Sequence, residues 1–141
     1  MSGYLIDSSA LWHLFRTPTA LQTWEEEITH GMFRICEATR IEFLYSARGP
    51  AHRDELAEDL DTMCEPSNVP KQAWRWVETA QYKLTQHGQH RSASAIDLLV
   101  CATAALQELT VLHVDHDFHT VSAVLPELHE RNVTLVPEPN Q

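Results

Sequence analysis

Two short apolar runs that end in an acid and pass into a helical pattern constrain this chain more than any other feature. The first is Gly3–Tyr4–Leu5–Ile6–Asp7, followed by Ser8–Ser9–Ala10–Leu11. The second is Thr110–Val111–Leu112–His113–Val114–Asp115, ahead of Phe118. Strand, acid, then helix is the junction of an open α/β sheet, where ligands bind outside the carboxyl ends of the strands. Asp7 and Asp115 therefore stand where chemistry is done.

The stretches between alternate in the same way. Ser8 or Ser9 is placed to cap a helix carrying Leu11, Trp12, Leu14 and Phe15. Thr17–Pro18 opens a second helix with Leu21, Trp24 and Ile28 on one face, stopped by Gly31. Met32–Cys36 is a short strand, and Glu37–Tyr45 starts a helix that Gly49–Pro50 ends. Leu56, Leu60 and Met63 keep helical spacing within residues 51–64, and Pro66–Pro70 is a loop. A long helix from Lys71 to His87 turns Trp74, Val77 and Leu84 inward and stops at Gly88. Ala95–Leu106 is apolar on nearly all sides, which predicts a central, buried helix. Phe118–Leu125 is a short helix and Asn132–Val136 a last strand. Strands alternating with helices predict an α/β fold: a mainly parallel central sheet flanked by helices on both faces, an α/β/α sandwich. Residues 1–141 are expected to form a single domain.

Composition narrows the class. No apolar run approaches the roughly 18 residues of a membrane helix, and no basic leader precedes Asp7, so a cytoplasmic protein is expected. Cys36, Cys64 and Cys101 are odd in number and widely spaced, which reads as core thiols. Twenty acidic against ten basic side chains leave a net charge of −10. That balance opposes tight non-specific nucleic-acid binding. With only Lys71 and Lys83 as lysines, phosphate handling would rest on arginines or a bound cation.

Four acids recur in apolar surroundings, where an unpaired charge is expensive. Besides Asp7 and Asp115, Glu42 follows Thr39 by three residues and Asp97 follows Ser94 by three. Both spacings match the capping box, so Glu42 and Asp97 have a structural explanation, and Asp115 can cap the helix after it. Asp7 has no such second duty in the sequence. If the strand ends and helix starts share one edge of the sheet, the four carboxylates converge, and like charges that close need a cation. Oxygen-only donors suit Mg²⁺ or Mn²⁺. Ser9 is placed to orient a carboxylate or a metal-bound water.

The segments Tyr4–Leu11, Thr39–Phe43, Ser94–Ala104 and Leu112–Phe118, in this order and spacing, resemble PIN-domain ribonucleases, in particular the VapC toxins of type II toxin–antitoxin systems. The resemblance covers Leu5 to about Pro137. It implies a PIN-like fold and a divalent-metal-dependent endoribonuclease whose catalytic acids correspond to Asp7, Glu42, Asp97 and Asp115. Asp7 and Asp97 correspond to the direct ligands of Mg²⁺ or Mn²⁺, with Asp115 close by, Glu42 helping to place the metal or its water, and Asp117 matching a further family acid. It also implies an RNA substrate, a cognate VapB-type antitoxin and a homodimer.

Other residues stand close to these acids in the sequence. His113, His116 and His119 are spaced by three around Asp115 and Asp117, but a strand followed by a helix is expected to separate their side chains. Arg40 and Arg91 adjoin site acids and fit either RNA phosphates or rim ion pairs. Trp74 and Trp76 cannot share one helix face, which leaves one for an interface. Two rivals stand against the ribonuclease: a Mg²⁺-binding phosphohydrolase or receiver-like domain, and an inactive PIN-like binding module. The first wants a lysine in the site, and neither lysine lies near a strand end. The second leaves the four acids without a purpose.

Overall fold

The structure, a computed structural model, describes residues 3–139. Five strands, β1 (Tyr4–Ile6), β2 (Phe33–Ile35), β3 (Glu65–Pro66), β4 (Thr110–His113) and β5 (His129–Asn132), form one sheet in the order β3-β2-β1-β4-β5. Every pairing is parallel. Helices α1 (Ser8–Arg16), α2 (Pro18–Thr23), α3 (Glu25–Thr29), α4 (Glu37–Leu44), α5 (Pro50–Met63), α6 (Ala73–Gln86), α7 (Ala95–Leu106) and α8 (His116–Val124) make the connections.

The central strand shows why the sheet is covered on both faces. Successive side chains of a strand point to opposite sides. Tyr4 and Ile6 enter one core with Leu11, Leu14, Trp24, Phe33, Phe43 and Leu60, while Leu5 enters the other with Val77, Leu84, Leu99, Val111 and Phe118. This is the expected three-layer α/β/α arrangement. Trp24 is fully buried, packs edge-on to Tyr4 with ring centroids 5.2 Å apart, and donates its indole N–H to the Val133 carbonyl at 3.0 Å. Gly3 has φ +111°, and a Cβ there would lie 2.8 Å from the Met32 carbonyl oxygen, so β1 meets the start of β2 only through glycine.

Several boundaries differ from the sequence reading. The second helix breaks at Trp24 into α2 and α3, because Trp24 turns fully inward with φ −103° and ψ 7°. The expected Pro66–Pro70 loop begins inside β3, an edge strand where a proline is tolerated. The last strand is His129–Asn132 rather than Asn132–Val136, since β5 runs along the polar edge of the sheet. Within α6 the buried face is Ala73, Val77, Ala80 and Leu84. Trp74 is therefore exposed, contrary to expectation, and Trp76 packs partly against the core. The three cysteines are free and buried.

Candidate active site

All five strands run the same way, so the carboxyl ends of β1 and β4 lie side by side. The chain leaves β1 for β2 on one side of the sheet and reaches β4 on the other, which makes this pair of ends a topological switch point. Asp7 follows β1 and Asp115 follows β4 by two residues. Both α4 and α7 begin at the same edge, since each descends from it before the next strand, and they carry Glu42 and Asp97.

Asp7 is 5% exposed. It is also the N-cap of α1, accepting from the Ser9 amide at 3.1 Å and the Ser9 hydroxyl at 2.7 Å. The cap expected of Ser8 or Ser9 is thus made by Asp7, which does carry a second duty after all. The Ser9 hydroxyl also accepts from the Val114 amide at 3.0 Å, stapling the end of β1 to the end of β4. Burial raises the Asp7 carboxyl above its ordinary value; the Ser9 bonds oppose this, and the charges of Asp97 and Glu42 add to it. Beneath them Cys101 is pushed well above the usual thiol range, chiefly by burial and then by Asp97 and Asp7.

Ser94 and Asp97 form the reciprocal capping box expected at the start of α7. The one expected at Thr39 and Glu42 does not form. Helix α4 starts three residues earlier, with Cys36 as N-cap; Thr39 is buried and its hydroxyl lies 3.5 Å from the Cys36 sulfur. Glu42 is released from capping and instead accepts from the Ser8 hydroxyl at 2.7 Å. Asp115 caps α8 through the Asp117 amide at 2.9 Å. The Asp117 carboxyl is raised by desolvation, then by Asp115 and Asp97. These mutual influences tie Asp7 to Asp97 and Glu42, and Asp117 to Asp115 and Asp97. Among the described residues, no group of three or more His, Cys, Asp or Glu side chains is drawn tightly enough to hold a metal ion by itself.

The sequence model of the family described as PIN domain matches residues 4–124. The chain belongs to the PIN-domain family. Ribonuclease VapC2 of Mycobacterium tuberculosis (strain CDC 1551 / Oshkosh) is 39% identical over 130 residues, 91% of this chain and 91% of that protein. Ribonuclease VapC6 of the H37Rv strain is 38% identical over 98 residues, 70% of this chain and 77% of that protein. A DNA-bound VapBC structure from Salmonella typhimurium matches with a TM-score of 0.77 at 14% identity, covering 94% of this chain and 99% of the other. VapBC2 of Rickettsia felis, bound to a promoter DNA fragment, gives 0.76 at 15% identity over 92% and 97%. At those identities the two structures bear on the fold.

Two candidate residues of this PIN domain have distinct surroundings. Arg40 pairs with Asp61 at 2.7 Å, an ion pair at the rim rather than a cation free for RNA, whereas Arg91 is exposed. Ser8, which holds Glu42, was missed by the sequence reading; its signal was a second hydroxyl directly after Asp7. Between His113 and His119 the structure places a glutamate that the sequence reading did not name. Glu130 on β5 joins them, His113 Nε2 lying 2.9 Å from one carboxylate oxygen and His119 Nδ1 2.8 Å from the other. Strand β5 lies next to β4 and under α8, which places one glutamate between the two histidines.

Proposed function

We propose that this chain is the toxin of a type II toxin–antitoxin system: a divalent-metal-dependent endoribonuclease that hydrolyses RNA phosphodiester bonds. The observation that supports the proposal is the buried Asp7 carboxylate under the charges of Asp97 and Glu42, at the switch point of a PIN fold whose relatives are named Ribonuclease VapC. The donor set fits Mg²⁺ or Mn²⁺. A buried carboxylate facing Asp97 and Glu42 is an oxygen donor whose charge calls for a cation. Magnesium is commonly held by one or two carboxylates with waters and substrate phosphates, so a preformed three-carboxylate cage is not required.

In this reading Asp7 and Asp97 hold the ion, Asp115 completes the acid set, and Glu42, anchored by Ser8, orients a water. Asp117 extends the negative rim. When bound, the ion supplies a water of lowered pKa and stabilises charge on the phosphate oxygens. Ser9 holds the Asp7 carboxylate through Oδ2, which would leave Oδ1 for the ion, and Arg91 is an exposed cation offered to the RNA backbone. The chain would act as a single cytoplasmic domain, pair with a second copy, and be restrained by a VapB-type antitoxin. No helix among the described residues is long and apolar enough to cross a membrane.

Induced expression in a bacterium lacking the antitoxin tests this. Wild type should arrest growth and leave new RNA 5′ ends, while Asp7→Asn, made to the same level, should do neither. Equal arrest by both proteins, or by neither, would return the chain to a non-enzymatic binding role.

A further inference from the structure

We propose that His116 and His119 form a binding site for one transition-metal ion of the Zn²⁺ class, with Glu130 orienting His119. The two residues are three apart on α8 and so share a face. Their rings stand with centroids 5.4 Å apart and planes inclined by 38°. Zinc binds imidazole nitrogen at about 2.0–2.1 Å, so two imidazoles on one tetrahedral ion have centroids roughly 5 Å apart. The observed spacing is already close to that, without any movement of the helix.

The second observation concerns the tautomer. A metal-binding histidine ordinarily gives its other ring N–H to a carboxylate, which fixes the ring and raises its basicity. His119 does this through Nδ1 to Glu130 Oε1 at 2.8 Å, leaving Nε2 as the free acceptor on a ring that is 65% exposed. Glu130 is itself held by His113 Nε2 at 2.9 Å, and His113 accepts from the Asp115 amide at 3.0 Å through Nδ1. That pattern assigns the Nε2–H form to His113 and leaves it no lone pair for a metal. His113 is thus the support and His119 the ligand. Burial alone would raise the Glu130 carboxyl, but the bonds from the two histidines outweigh it and hold it low, so it stays an acceptor.

The histidines face an open cavity of about 450 Å³, bordered also by Arg131, Asn132 and Leu135. Arg131 does not compete for it, being turned to the Val136 carbonyl and to Glu138 at 3.8 Å. Asp117 adjoins His116 but projects about 100° further round the helix, so this nitrogen-donor site is distinct from the oxygen-donor centre. Two histidines leave the remaining positions of the ion to water, since among the described residues no set of three ligands is gathered.

Zinc chloride, titrated against a chromophoric chelator into the full chain carrying Asp7→Asn and Asp97→Asn, tests the site with the acid centre silenced. Saturable binding of one ion is expected, weakened at least tenfold by His116→Ala or His119→Ala and between 10- and 100-fold by Glu130→Gln. Millimolar Mg²⁺ should not displace it. Circular dichroism checks that each variant folds, and exposed His116→Gln serves if Glu130→Gln does not. Absence of saturable binding at millimolar zinc, displacement by Mg²⁺, or affinities unchanged in both histidine variants would overturn the proposal.

Discussion

Replacing Ser9 by alanine removes one hydroxyl that serves two groups. It donates to the buried Asp7 carboxylate at 2.7 Å and accepts from the Val114 amide at 3.0 Å. Val114 is 41% exposed, so water can take over its amide, and the loss is carried by Asp7, which is 5% exposed. A hydrogen bond to a charged group contributes about 1.5–3 kcal/mol, and a neutral one about 1. Ser9→Ala should therefore destabilise the metal-free protein by about 2 kcal/mol, a fall in Tm of roughly 6–8 °C for a chain of this size. In an Asp7→Asn background, where the cap persists but the charge is gone, the same change should cost about 1 kcal/mol. The double-mutant cycle thus carries about 1 kcal/mol of coupling, measurable by urea unfolding in EDTA at about pH 8. A cost below about 0.5 kcal/mol in the wild-type background, or equal costs in both, would refute the idea that Ser9 holds an ionised Asp7.

Asp7 and Glu130 predict opposite pH behaviour. The Asp7 carboxyl is raised above 3.8, chiefly by burial, so its contribution to folding is present below 3.8 and lost as pH rises through the folded value. Metal-free Asp7→Asn should then be more stable than wild type at neutral pH, with the gap closing toward pH 3.8 in denaturant titrations; a gap that widens on acidification contradicts this. The Glu130 carboxyl is held below 4.5, its histidine bonds outweighing burial, so its contribution is present above 4.5 and lost as pH falls through the lowered value. Glu130→Gln should destabilise at neutral pH by about 2 kcal/mol, less so below 4.5, by the same measurement. Trp24→Ala removes a fully buried ring and its bond to Val133. Thermal unfolding should show a loss of about 3–5 kcal/mol.

The sequence makes plain those parts of the fold where side-chain pattern and backbone geometry agree. Strands β1 and β4 are apolar runs closed by an acid, α7 is apolar all round, and Ser94–Asp97 is a capping box in both sequence and structure. The Thr39–Glu42 pattern misleads because the cap is decided by backbone dihedrals at Cys36, which no side chain advertises. The inward face of α6 contains two alanines, weak signals beside the conspicuous Trp74, and the phase of the helix follows the smaller residues. Strand β5, His-Glu-Arg-Asn, has no apolar alternation, being an edge strand held by main-chain pairing, and the apolar residues after it attracted the prediction. For the same reason nothing in the sequence marks Glu130 as the partner of two histidines. Asp7, Asp97 and Asp115 do stand at helix starts, as their sequence context indicates, whereas Glu42 lies within α4, and the partners of these acids could not be named. That Asp7 caps α1 and Ser8 holds Glu42 depends on the three-dimensional meeting of α1 and α4.

Cleavage of labelled RNA by purified, antitoxin-free protein, with and without Mg²⁺ or Mn²⁺, bears most directly on the proposed chemistry. Wild type should cut endonucleolytically only when the divalent ion is present. Asp7→Asn and Asp97→Asn should each lose activity by at least a hundredfold while remaining folded. Cleavage that persists in excess EDTA, or that survives both substitutions, would contradict the assignment of these acids to a metal-dependent ribonuclease centre.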